Sequence, residues 1–211
     1  SKLLLSKGRY RTTVTSGLSF SRSALSEIMP IPEQDFRISA DGYLVSIAPF
    51  YGKVASIDSP VAARVYHDSN LWSNRALESS GEKFEKSVSH DLLRYKYLRK
   101  TAEKFGHHLT DNPGLNDLDH LINRIASLRI SPDTHPVKSD SRISLAFLGN
   151  KAALSYKKLK LSRRLILCFW FLWVGILPLC LAKPIILWFR YPKCRPKFMG
   201  DFAKKVRSVT R

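Results

Sequence analysis

From Ser80 onward the apolar positions recur every three or four residues: Phe84, Val88, Leu92, Tyr95, Leu98, Ala102 and Phe105. That spacing is one face of a helix. Ser80 can cap its start and Gly106 can end it. A second helix is expected after Asp111-Asn112-Pro113, because proline suits a first helical turn. Leu115, Leu118, Leu121, Ile122, Ile125 and Leu128 give it an apolar face, and Ser131-Pro132 stops it. The short link between the two predicts an antiparallel helical pair. Upstream, Phe36 to Ile47 alternates apolar and polar residues around Asp41-Gly42. This pattern predicts a β-hairpin with a tight turn, which would have to pack on helices or on another subunit. After a Pro-containing linker at residues 131–140, helical character resumes near Ser141, with Ile143, Phe147, Leu154, Leu159 and Leu161 apolar.

The longest apolar run begins at Leu165. Leu165 to Ala182 is 18 residues without a charge, and Lys183-Pro184 separates it from Ile185–Phe189. As a helix the first part reaches roughly 27 Å, close to the ~30 Å hydrocarbon core of a bilayer. Residues 165–189 are therefore expected to form one transmembrane helix. Leu165, Trp170, Trp173, Pro178 and Trp188 mark it: the tryptophans would form aromatic belts, and Pro178 would kink it. Lys183 is expected to snorkel to the headgroups. The fold class is thus mainly α: one C-terminal transmembrane helix plus a small mixed region holding the helical pair and the hairpin.

Charge sharpens the division. The 211 residues carry 35 Lys+Arg against 17 Asp+Glu, a formal net charge of +18. Residues 1–26 contribute +5 with no acid, residues 27–150 are near neutral, and residues 151–211 hold 15 basic side chains and only Asp201. The expected organisation is a basic, Ser-rich arm or import-sequence remnant at 1–26, and a small extramembrane region at 27–140. A basic amphipathic helix at 141–164 leads into the span at 165–189, and a basic tail follows at 190–211. Lys157, Lys158, Arg163 and Arg164 on one side and Arg190, Lys193 and Arg195 on the other are the candidate ligands for anionic lipid headgroups, cardiolipin included. The composition of the arm is that of an organellar import sequence. Together with the span it points to the mitochondrial inner membrane, with the larger N-terminal part on the matrix side and the thylakoid membrane as the alternative.

Catalytic chemistry leaves little trace. No GxGxxG, GxxxxGK[ST] or GxSxG run occurs, so phosphate cradles and nucleophile elbows lack their signature. His107, His108, Asp111 and His120 are the densest metal-ligand types, but no HExxH or CxxC spacing supports them, and the reading there is a solvated turn. Cys168, Cys180 and Cys194 form no disulfide framework. The expectation is a non-catalytic accessory subunit without a cofactor. It would scaffold a multi-subunit mitochondrial inner-membrane complex, such as a respiratory-chain complex or ATP synthase, with other subunits and anionic phospholipid as partners. The alternative is a membrane-associated mitochondrial ribosomal or other nucleic-acid-binding protein, whose basic ends would meet phosphates.

Overall fold

The structure is a computed structural model, and it describes residues 2–10, 12–59, 63, 80–156, 159–191, 195 and 196. Among these residues the chain is mainly helical and holds no strand. The helices are α1 (Lys2–Lys7), α2 (Arg22–Ile28), α3 (Glu33–Phe36), α4 (Ala40–Ile47), α5 (Ser80–Lys104), α6 (Leu118–Ile130), α7 (Arg142–Ser155), α8 (Leu161–Ile176) and α9 (Leu179–Arg190).

The main core lies where α5 and α6 meet α7–α9. Phe84 of α5 joins Leu121, Ile122, Ile125 and Ala126 of α6, Leu145, Ala146 and Ala153 of α7, Leu167, Trp170, Phe171 and Val174 of α8, and Ile186 of α9. Helices α5 and α6 run antiparallel. Gly81 near the start of α5 abuts Ile130 and Ser131 at the end of α6, while Tyr95 reaches Asp117 at the α6 N-terminus. Asp117 caps α6 by accepting from the Asp119 N–H at 3.1 Å, one of the orphan donors that a helix start leaves. Gly106, at φ +69°, takes the left-handed turn after α5.

Helices α7 and α8 approach closely through two glycines. A Cβ on Gly149 would lie 2.2 Å from the Phe171 ring, and one on Gly175 would lie 2.6 Å from Ala146 Cβ. Their absence lets the two helices interlock.

The expected hairpin is not formed. Residues 36–47 instead make the end of α3 and the whole of α4, with Asp41-Gly42 in the first turn of α4. An acid there meets the positive helix end favourably, and the Gly42 N–H donates to Asp41 Oδ1 at 2.9 Å. The helical arrangement stacks Tyr43 over Ile47 and packs Tyr43 and Phe36 against Tyr97 of α5. An isolated two-stranded ribbon would have left those rings in water.

The transmembrane helix over 165–189 is also overturned. Among the described residues no helix is long and apolar enough to cross a membrane. The apolar run is cut at Leu177-Pro178, where both residues take extended ψ values of 151° and 155°. Proline lacks the N–H that would continue the helix and pushes its predecessor out of the helical region. The chain then reverses. Trp170 Nε1 donates to the Ile185 carbonyl at 3.4 Å, and the Trp170 and Phe189 rings stand 4.9 Å apart. Helices α8 and α9 therefore form a hairpin, with 16 and 12 residues, rather than one rod. Arg129 of α6 donates to the Leu177 carbonyl and ties the reversal to the core.

Candidate functional site

From Leu165 onward helix α8 is apolar on every side, yet only one side is packed. Leu167, Trp170, Phe171, Val174 and Gly175 are buried, and they fall on one arc of the helix. The opposite arc carries Leu161, Leu165, Ile166, Phe169, Leu172, Trp173 and Ile176, all exposed; Ile166 keeps 60%, Phe169 56% and Trp173 52% of its surface. Leu179 and Leu181, just past the reversal, extend the exposed apolar surface around the hairpin tip, and Ile143, Phe147 and Leu154 form a second exposed stripe on α7. Single exposed apolar residues are unremarkable, but a whole helix face of them marks an interaction surface.

This face lies in an acid-free part of the chain. No Asp or Glu occurs between Asp140 and Asp201. Arg163 is exposed in the first turn of α8, and Lys183 is exposed on α9. Arg164 instead folds back, donating to the Leu159 carbonyl at 3.0 Å and the Leu154 carbonyl at 3.3 Å. Arg195 donates to the Trp188 carbonyl at 2.6 Å. Lys157, Lys158 and Lys193 lie outside the described residues. The residues assigned to a span therefore separate. Leu165, Trp173 and Pro178 are exposed, Trp170 is buried, and Trp188 is half-buried.

A second site is buried and charged, and it joins the N-terminal arm to the helical pair. Asp91 of α5 accepts from Arg9 Nη2 at 2.6 Å and from His120 Nδ1 at 2.8 Å, and pairs with Arg94 Nη2 at 2.9 Å. Arg9 Nε pairs with Asp117. Burial pushes the Asp91 carboxyl up. The His120 hydrogen bond and the Arg94 and Arg9 charges outweigh it and hold Asp91 below the ordinary carboxylate value. Asp117 goes the other way: burial, with Asp91 and Asp119 nearby, leaves its value raised despite Arg9. Gly8, at φ +70°, turns the chain so that Arg9 enters; a Cβ there would meet the Tyr95 ring at 2.3 Å. Since Asp91 is ionised, His120 Nδ1 is the donor, leaving Nε2 buried without a hydrogen-bond partner against Gly114.

A Ser–His–Asp grouping also occurs. His135 Nδ1 lies 3.0 Å from Ser127 Oγ, and Nε2 lies 2.9 Å from Asp140 Oδ2. Its polarity is reversed relative to a hydrolytic triad, where the serine stands on Nε2 and the acid on Nδ1. Ser127 is fully buried, and Arg124 holds both Asp140 oxygens. It latches the 131–140 linker onto α6. Among the described residues the other histidines form no cluster: His107 and His108 are exposed beyond α5, and no three His, Cys, Asp or Glu side chains there are placed to hold a metal.

Sequence reasoning missed Asp91, Arg9 and Asp117. The signal was present, because Asp91 sits three residues after Val88 and four before Tyr95, inside the apolar stripe. The chain matches no protein-family model, no curated protein and no solved structure.

Proposed function

We propose that the protein is a non-catalytic accessory component of a membrane-bound assembly, seated on an anionic lipid surface by the exposed face of α8 and the tip of the α8–α9 hairpin. The supporting observation is that a wholly exposed apolar helix face lies within a stretch that has no acid between Asp140 and Asp201. In this reading α8 lies in the interface plane, its apolar arc entering the headgroup–acyl boundary by roughly 5–10 Å while basic side chains meet lipid phosphates. A second copy is a poor occupant for the same face, because two chains of net charge +18 repel. The address we attach to it is the matrix side of the mitochondrial inner membrane, on the strength of the acid-free basic composition of residues 1–26. Its work there is to hold neighbouring subunits of a complex against the lipid.

Flotation with vesicles tests the surface. The protein should float with vesicles containing phosphatidylglycerol or cardiolipin and far less with neutral phosphatidylcholine. Phe169→Ser with Trp173→Ser should lower binding at least about tenfold, since burying each such side chain is worth ~1.5–3 kcal/mol. Both residues are exposed, so the circular dichroism of the double variant should match that of the wild type. Undiminished flotation of this variant, or equal binding to both vesicle types, would contradict the reading. Retention on RNA but not on lipid would favour phosphate binding by the basic ends instead.

A further inference from the structure

Ser162 is exposed in the first turn of α8, just past the extended Lys160 at φ −56° and ψ 147°. Helical spacing sets it on the same arc as the apolar face. Ile166, Phe169, Trp173 and Ile176 follow it along that arc, and all four are exposed. A hydroxyl thus stands at the head of a face whose other side chains are apolar.

The flanks of Ser162 are basic on both sides. Lys157, Lys158 and Lys160 precede it, Arg163 and Arg164 follow it, and no acid occurs from Ser141 to Gly200. Such a run suits a protein kinase whose substrate groove is lined with carboxylates, because complementary charge steers the encounter and fixes its register. A kinase takes its substrate extended, and little has to open here. The first N–H groups of a helix lack intrahelical partners in any case. The turn at Ser162 is closed by the Arg163 and Arg164 N–H groups donating to the Lys160 carbonyl, at 3.0 and 3.1 Å. Thr12 also follows two arginines, but Arg9 is committed to Asp91 and Asp117 inside the fold.

We propose that Ser162 is the site of a phosphorylation switch that releases α8 from anionic lipid, the modifying partner being an ATP-dependent serine kinase selective for basic sequences. In that step a bond forms between Ser162 Oγ and the γ-phosphorus of ATP. The bond from that phosphorus to the β–γ bridging oxygen breaks, ADP leaves, and the hydroxyl proton passes to the kinase base. The product adds a charge of about −1.5 to −2 at pH 7. Two effects then act in one direction. The phosphate offsets the attraction of Lys160, Arg163 and the preceding lysines for lipid phosphates, and it heads the arc that has to enter the headgroup layer. The helix itself is not harmed, because an anion meets the positive end of α8 favourably. The release rests on the membrane reading above; the modification of Ser162 does not.

The full chain is treated with ATP and the catalytic fragment of a protein-kinase-C-type enzyme, mapped by mass spectrometry, and floated with phosphatidylglycerol vesicles. Phosphate is expected on Ser162, with flotation weakened about tenfold or more, the factor that losing nearly two charges of attraction at an anionic surface implies. Phosphatase should restore flotation. Ser162→Ala should float as the untreated chain does and keep floating after kinase treatment; its release would place the switch at another hydroxyl and overturn the assignment. Absence of phosphate from Ser162 overturns the proposal. A chain phosphorylated there that floats undiminished overturns the switch and leaves the membrane reading standing. Untreated protein that fails to float sinks the membrane reading and the switch together, whatever the mapping shows. A fall in helix content by circular dichroism on phosphorylation would trace release to unfolding and overturn the electrostatic mechanism.

Discussion

Asp91 is the residue on which the most interactions converge, and its removal should cost more than any contact it makes singly. Arg9, Arg94 and His120 all turn to its two oxygens. Breaking a buried charge network by deleting one partner leaves the others uncompensated, typically about 3–5 kcal/mol. Asp91→Ala should lower unfolding free energy by that order in urea denaturation, whereas a loss under about 1 kcal/mol would mean that water already satisfies the cations. Acid should act through the same chemistry at Asp140. Burial pushes the Asp140 carboxyl up, but the His135 and Arg124 hydrogen bonds hold it below the ordinary value. A carboxylate lowered in the fold contributes stability above its unfolded pKa of about 3.9, and loses it as pH falls through the folded value. The protein should therefore weaken below about pH 4, and Asp140→Asn should weaken it at pH 7 while flattening that acid decline. Asp91 adds in the same sense, and Asp117, with its raised value, works against both. An acid profile identical in the Asn variant would exclude Asp140 as a contributor.

At the scale of elements, the close approach of α7 and α8 depends on what is missing at residues 149 and 175. Gly149→Val would drive a branched side chain into the fully buried Phe171 ring. Overpacking of this kind costs typically ~1–3 kcal/mol, so a drop in Tm is expected in a thermal melt, and an unchanged Tm would mean that the two helices slide apart freely. The α5–α6 pair was legible because long apolar periodicity is hard to produce by accident: Phe84, Val88, Tyr95, Leu98 and Ala102 all end up buried. The 36–47 segment was not. Its alternation spans too few residues to separate period two from period 3.6, and Asp-Gly serves a helix start as well as a turn. The reversal at Leu177-Pro178 was hidden for another reason. Proline bends a helix in lipid and ends one in a folded domain, and the packing of Trp170 onto Ile185 and Phe189 decides between them here. The charge network escaped because its members come from positions 9, 91, 117 and 120, far apart in sequence.

For the whole molecule, the reversal leaves a helix with one apolar face packed and the other bare. A chain carrying +18 and sixty residues free of acid, 141–200, presents that face. In the proposed reading lipid would cover it without an added partner, and the basic groups at the α8 start and on α9 would then be set at headgroup level. The direct test is immersion depth. Single spin labels would be placed at Leu165, Phe169 and Ile176 in a chain with Cys168, Cys180 and Cys194 changed to Ser, bound to phosphatidylglycerol vesicles, and read by power saturation against oxygen and a polar nickel chelate. A helix lying in the interface puts residues 165 and 176 at closely similar shallow depths. Helices crossing the bilayer would separate them by up to roughly 16 Å at ~1.5 Å per residue, and that gradient, or labels as water-accessible as in the unbound protein, would contradict the account.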